Sequence, residues 1–257
     1  MNGFGVYTFA DGSHYEGNWV NGKRSGKGKK EFCNGDIYDG EWVDDCANGW
    51  GIYKSSCGDT YEGNWETGKL NGKGKFVAEN SDYYEGDFID GRKEGHGIYT
   101  YAETGDVYDG EWFNDLPNGM GTFNSQNGDE FTGEWKEGKK WGHGKKTFEN
   151  GDLYEGNWEN GKKHGKGIYK FASGEVFEGD WVMDKVDGKG IYHTIDGSTY
   201  EGDWKGDRVD GQGRFTSAEG DMYSRVGEMW MSQYFWLNFY CNLFLFFLIK
   251  IIRIPYS

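Results

Sequence analysis

One spacing constrains this chain more than any other feature. The motif aromatic–x–Gly–x–aromatic begins at Tyr15, Tyr38, Tyr61, Tyr84, Tyr108, Phe131, Tyr154, Phe177 and Tyr200. It closes at Trp19, Trp42, Trp65, Phe88, Trp112, Trp135, Trp158, Trp181 and Trp204. Successive motifs start 23 residues apart, with one step of 24 where "AETGD" carries an extra residue. Self-similarity at such a period is the mark of a repeat architecture, in which each unit buries its apolar face against the next. A second element follows each motif: Gly-x-Gly, then an alternating run, as in "GKGIYKF" from Gly165. Ten Gly-x-Gly units occur, from Gly3-Gly5 to Gly211-Gly213.

Both elements have period two. In "YEGNW" the residues Tyr154, Gly156 and Trp158 face one way, and Glu155 and Asn157 the other. In "GIYKF" Gly167, Tyr169 and Phe171 share a face. Each repeat therefore reads as two short strands. The stretches "ADGS", "CNGD", "QNGD", "ENGD" and "IDGS" between repeats carry Asp-Gly or Asn-Gly, and type I′ hairpin turns are expected there. The expected fold is all-β: a long single-layer antiparallel sheet of stacked 23-residue hairpins, with the rings as its apolar material. Glycine in mid-strand leaves space between the flanking rings for a neighbouring ring to lie on the backbone.

Composition narrows the classes. The 45 glycines come with 18 % aromatics and two prolines, unlike disordered or collagenous chains. A net charge of −15 argues against a general nucleic-acid binder. Cys33, Cys46, Cys57 and Cys241 form no CxxC pair, and no apolar signal stretch opens the chain. Free thiols in a reducing, cytoplasmic setting are expected. His96 and His143 fill the middle of Gly-x-Gly where other repeats place Lys. Register explains them, and neither a catalytic nor a metal site is expected, nor a cofactor. The second motif position is acidic in eight of nine repeats, with Thr132 the exception. Cross-strand neutralisation by Lys29, Lys54, Lys75, Lys145, Lys170 and Arg214 is expected.

The stretch "YEGNWENGKKHGKGIYKFASGE" resembles the MORN repeat (membrane occupation and recognition nexus), and the likeness extends over residues 1 to about 223. The resemblance implies a β-hairpin solenoid without catalytic machinery of its own. It also implies service as a protein-assembly scaffold, at a cytoskeletal structure or membrane, or as a targeting module on an enzyme such as a phosphatidylinositol-phosphate kinase. No kinase or methyltransferase domain is legible here, so the alternative is a targeting or regulatory fragment of a larger enzyme. Two departures stand out: Met1 falls mid-repeat, and "YSRVGEMW" from Tyr223 replaces the tenth motif.

Within each repeat the connection between the two strands is basic: Lys23, Arg24 and Lys27; Arg92 and Lys93; Lys139 and Lys140; Lys162, Lys163 and Lys166. As loops along one edge, these residues are expected to attract anionic phospholipid weakly and reversibly. Strand edges at the two ends of the array are expected to support self-association. Residues 224–257 form a hydrophobic, non-repeat tail. Its stretch Met229–Ile249 is long enough to span a bilayer, but a packed cap or a translated intron or frameshift explains it as well.

Overall fold

A computed structural model of the chain describes residues 1–226. The expectations for the tail beyond them lie outside the described residues. Ser224–Val226, assigned to that tail from sequence, instead extend a final strand, because backbone pairing does not require the motif's side chains.

The chain divides into two compact units, with the boundary in the sequence between Glu149 and Asn150. The first contains β1 (Gly3–Thr8), β2 (His14–Val20), β3 (Lys23–Glu31), β4 (Ile37–Val43), β5 (Cys46–Lys54), β6 (Thr60–Glu66) and β7 (Lys69–Val77). It continues with β8 (Tyr83–Ile89), β9 (Arg92–Thr100), β10 (Val107–Phe113), β11 (Leu116–Asn124), β12 (Glu130–Lys136) and β13 (Lys139–Thr147). The second contains β14 (Leu153–Glu159), β15 (Lys162–Lys170), β16 (Val176–Val182), β17 (Lys185–His193), β18 (Thr199–Lys205), β19 (Arg208–Thr216) and β20 (Met222–Val226). Within each unit every strand pairs antiparallel with the one before it, so each unit is a meander of consecutive hairpins. The described residues contain no helix.

The two kinds of turn are exchanged relative to expectation. Type I′ geometry lies inside the repeat, at two-residue turns with both φ positive: Asn21 (49°) and Gly22 (79°), Asp44 (47°) and Asp45 (70°), Asp90 (52°) and Gly91 (82°). Between repeats, "ADGS" closes a three-residue loop. The Gly12 N–H donates to the Phe9 carbonyl at 3.0 Å and the Phe9 N–H to the Ser13 carbonyl at 2.8 Å. Only Gly12 is left-handed there (φ 86°), as in a type I turn with a bulge. The Asp11 carboxylate accepts the Ser13 N–H at 2.9 Å and holds that geometry. Because the turn inside the repeat spans two residues, the basic residues read as loops are strand residues of β3, β9, β13 and β15.

A row of glycines runs across the strands of each unit. In the first unit Gly5, Gly17, Gly28, Gly40, Gly51 and Gly63 pair in succession and the row continues to Gly144. In the second it runs from Gly156 to Gly213. The reason is steric. A Cβ on Gly17 would stand 2.5 Å from the Gly28 Cα, and one on Gly28 would overlap the Tyr15 ring. The expectation that mid-strand glycine makes room for a ring holds, and the ring is the motif's own first aromatic folded over the facing strand.

Those rings form the core. Tyr15 meets Trp19 edge-on at 5.1 Å and Trp42 at 5.4 Å. Tyr108 meets Trp112 at 5.3 Å and Trp135 at 5.1 Å, and Tyr154 meets Trp158 at 5.2 Å and Trp181 at 5.3 Å. Each contact of this type adds about 0.5–1.5 kcal/mol to the burial term. Most of their polar atoms are satisfied: the Tyr15 hydroxyl donates to the Asn18 carbonyl and the Trp42 indole N–H to the Gly28 carbonyl at 2.8 Å, whereas the Tyr200 hydroxyl is buried without a partner.

Candidate functional site

The ring face is the surface with the most chemistry. Arg24, Lys93, Lys140 and Lys163 lie on it rather than on an edge. The Arg24 guanidinium stands 4.3 Å from the Trp42 ring centroid and its Nε 3.0 Å from the Asp45 carboxylate. Lys163 Nζ lies 4.2 Å from the Trp181 centroid, and Lys140 Nζ 4.8 Å from that of Phe131. Lys93 sits 4.4 Å over Tyr99, and burial lowers its pKa. The other basic residues of the group go elsewhere. Lys23 faces Asp44 at 3.5 Å, Lys166 faces Asp180 at 2.6 Å, and Arg92 donates to Asn114. Lys27, Lys139 and Lys162 are exposed strand residues. The expected basic edge is thus divided between faces, because strand residues alternate: Arg24, Lys93, Lys140 and Lys163 each stand four residues before the ring-face glycine of their strand, and the others an odd number before it.

Two grooves open on the ring face of the first unit. One, of about 530 Å³, is lined by Lys93, Tyr99, Trp112, Pro117, Phe123 and Trp135. The other, of about 610 Å³, lies between Tyr38, Ala47, Tyr53, Tyr61, Trp65 and Leu70. Every motif aromatic from Tyr15 to Trp204 is buried except Tyr61 and Trp65, which are half-buried and line the second groove.

The opposite face is charged. Lys29 pairs in register with Glu16 and Asp39, Lys75 with Glu62 and Glu85, Lys145 with Thr132, and Arg214 with Glu201. Lys54 and Lys170 do not take this position: their register partners are Ile37 and Thr60, and Leu153 and Val176. They stand two residues further along the strand, and Ile52 and Ile168 face the acids instead.

A set of aspartates joins the repeats. Asp36 accepts the Tyr53 hydroxyl and the Ser56 N–H, the latter at 2.8 Å. Asp82 does the same with Tyr99 and Ala102, and Asp152 with Tyr169 (2.6 Å) and Ala172 (2.8 Å). Asp59 accepts the Glu79 N–H and Asp106 the Gln126 N–H. Sequence reasoning treated these residues as turn formers, yet the signal was available: an acid stands two residues before most motif aromatics. The bonds favour the ionised form. The Tyr53 hydroxyl and the Ser56 N–H hold Asp36 down to about 2 from 3.8. The Ala102 N–H and Tyr99 hydroxyl lower Asp82, and the Gln126 N–H lowers Asp106. A depressed folded-state pKa stabilises above the unfolded value and is lost as pH falls through the folded value. The melting temperature is therefore expected to be level above about pH 5 and to fall between about pH 4 and pH 2. Thermal melts across that range check this, and Asp36→Asn is expected to flatten part of the slope.

Cys33, Cys46 and Cys57 are free and exposed. Among the described residues no group of three or more His, Cys, Asp or Glu is placed to hold a metal ion, and no helix is long and apolar enough to cross a membrane.

Consecutive two-stranded units with a shared ring face, a charged face and repeat-to-repeat bonding define a β-hairpin repeat protein. Ten consecutive segments match the family described as MORN repeat: residues 1–14, 15–37, 38–60, 61–83, 84–103, 108–130, 131–153, 154–176, 177–199 and 200–222. The chain belongs to the MORN-repeat family. No curated protein matches it. Among solved structures it is similar to the TCP domain of SAS-4 (dCPAP) in complex with a proline-rich motif of Ana2 (dSTIL) of Drosophila melanogaster. That likeness has 15 % identity and a TM-score of 0.36, and covers 79 % of this chain and 90 % of the other. It is also similar to the TCP10 domain of Danio rerio CPAP in complex with a peptide of Danio rerio STIL. There the identity is 11 % and the TM-score 0.31, covering 90 % of this chain and 93 % of the other. Likenesses of this degree carry no argument about function.

Proposed function

We propose that the array is a non-enzymatic scaffold, working in the cytoplasm, that assembles with other proteins through its ring face. The supporting observation is the pair of open grooves in the first unit, where aromatic rings stay accessible beside polar and cationic groups, as at protein interfaces. The charged face exposes Trp50, Ile98 and Met120 as well, but among acids and lysines that face each other across strands. Affinity capture with three forms of the chain tests the reading. The parent and an Ile98→Lys variant on the charged face are expected to hold the same partner, and a Tyr53→Lys, Phe123→Lys variant on the ring face to lose it. Loss on the charged-face variant alone would place the docking surface on the wrong side.

Anionic phospholipid fits these side chains poorly. Four of the ten basic residues lie over rings, and Lys23 and Lys166 face aspartates. At about 0.15 M salt, where the screening length is about 8 Å, residues 1–226 are expected to co-sediment no better with anionic than with neutral vesicles. A clear preference for the anionic vesicles would restore a membrane role.

A further inference from the structure

Equivalent repeats place a cation in one slot on the ring face. Arg24 lies 4.3 Å from the Trp42 centroid and 5.8 Å from that of Tyr15. Lys93 lies 4.4 Å from Tyr99, 5.0 Å from Trp112 and 5.4 Å from Tyr84. Lys163 lies 4.2 Å from Trp181, 4.8 Å from Tyr169 and 5.5 Å from Tyr154. In each case the cation stands over the Tyr of its own motif and the Trp of the next.

Ala47 holds that position in β5. It pairs with Trp42 as Arg24 pairs with Trp19. The rings are all present: Tyr38 and Trp65 are 5.2 Å apart, and Tyr53 and Trp65 are 6.1 Å apart. A methyl group stands where those three repeats extend a long cationic side chain. At the remaining equivalent positions stand Lys140, over Phe131, and the bulkier Leu70, Pro117, Val186 and Val209.

The next repeat widens the opening. Leu70 is buried and turns down onto the glycine row, where a Cβ on Gly63 or Gly74 would meet its methyl groups at 3.1 Å. Elsewhere the motif's first aromatic, Tyr or Phe, covers that spot. Tyr61 is displaced, lies against Phe76 at 4.7 Å, and leaves Trp65 half-buried. The result is the 610 Å³ groove around Ala47. Its own cations are engaged: Arg24 by Asp45, Lys69 by Asp90 at 3.4 Å, and Lys30 over Phe32 at 4.3 Å. Asp45 adds a carboxylate to the lining of the groove.

We propose that the Ala47 slot receives an arginine side chain from a protein partner, an inference that rests on the scaffold reading above. Three cations in the same register show what the ring set accepts, and the chain's charge of −15 favours a basic visitor. Arginine fits best because its planar guanidinium stacks on aromatic faces.

The probe is a tetra-arginine peptide, with tetra-citrulline as its uncharged counterpart, titrated while the Trp65 indole N–H resonance is followed by NMR. Tetra-arginine is expected to shift that resonance saturably and tetra-citrulline to leave it in place. Ala47→Lys, which supplies the slot with its own cation, is expected to weaken tetra-arginine binding roughly five- to thirtyfold. Trp65→Leu, read instead from the indole N–H of Trp42 in the same groove, should do the same. An equal response to both peptides, an unmoved Trp65 resonance, or undiminished binding by Ala47→Lys would each overturn the proposal. Partner capture that needs the ring face but ignores Ala47→Lys would remove the slot and leave the scaffold standing.

Discussion

Trp112→Ala is expected to cost roughly 3–5 kcal/mol and to split the melting of the first unit into two transitions. Trp112 is buried on β10, with strands of that unit on either side. It contacts Tyr84 at 5.2 Å, Tyr108 at 5.3 Å and Tyr99 at 5.9 Å, carries Lys93 5.0 Å from its centroid, and donates its indole N–H to the Gly97 carbonyl at 3.0 Å. These contacts join one repeat to the next. In a linear array stability is a sum of unit and neighbour terms, so removing one neighbour term uncouples the strands on either side. Scanning calorimetry of the variant is the check, and a single transition at the parent's temperature counts against the account.

The second large effect is expected from the glycine row. Gly97→Val places a branched side chain where a Cβ alone would overlap the Tyr84 ring, in a strand paired on both sides. Tyr84 has nowhere to retreat, because it is fully buried against Phe88 and Trp112. Overpacking of this kind costs about 1–3 kcal/mol where side chains can adjust, and about 3 kcal/mol or more is expected here. Gly91→Ala is the comparison: its φ is 82° but nothing lies within 4 Å, so only the left-handed backbone resists, at about 1 kcal/mol. Urea titrations of both variants decide the matter. Equal losses would mean that the row serves backbone freedom rather than ring seating.

Much of this molecule was legible in advance. A 23-residue period with two alternating runs per repeat leaves few choices besides stacked hairpins, and the seating of rings on glycine followed from the missing side chains. What sequence did not show has a common physical origin. The turn inside the repeat is only two residues long, so residues read as loops belong to strands, and alternation counted back from Gly28 puts Arg24 on the ring face. Read as loops, Arg24, Lys93, Lys140 and Lys163 were placed on an edge when they lie over rings. The turns misled for a related reason. Asp-Gly suits both type I′ and the bulged three-residue loop, and the Asp11 bond to the Ser13 N–H, which selects the latter, is a matter of coordinates rather than composition. The open Ala47 slot becomes visible only when its ring set is compared with those around Arg24, Lys93 and Lys163.

The aspartate bonds also govern which length changes the gene can tolerate. Excising residues 38–60 would bring Asp36 two places before Tyr61, where it would meet the Glu79 N–H that Asp59 now binds at 3.0 Å. A whole period can thus be lost or duplicated without stranding a donor. A single inserted residue within a strand would turn every later ring to the wrong side. The one irregular step in the array, between Tyr84 and Tyr108, obeys that restriction. Its extra residue is taken up in a turn, where the Tyr101 N–H still finds the Asp106 carbonyl at 2.9 Å. Insertions and deletions in this coding sequence should accordingly be multiples of the repeat, or fall between Thr100 and Val107 and in the loops equivalent to that one.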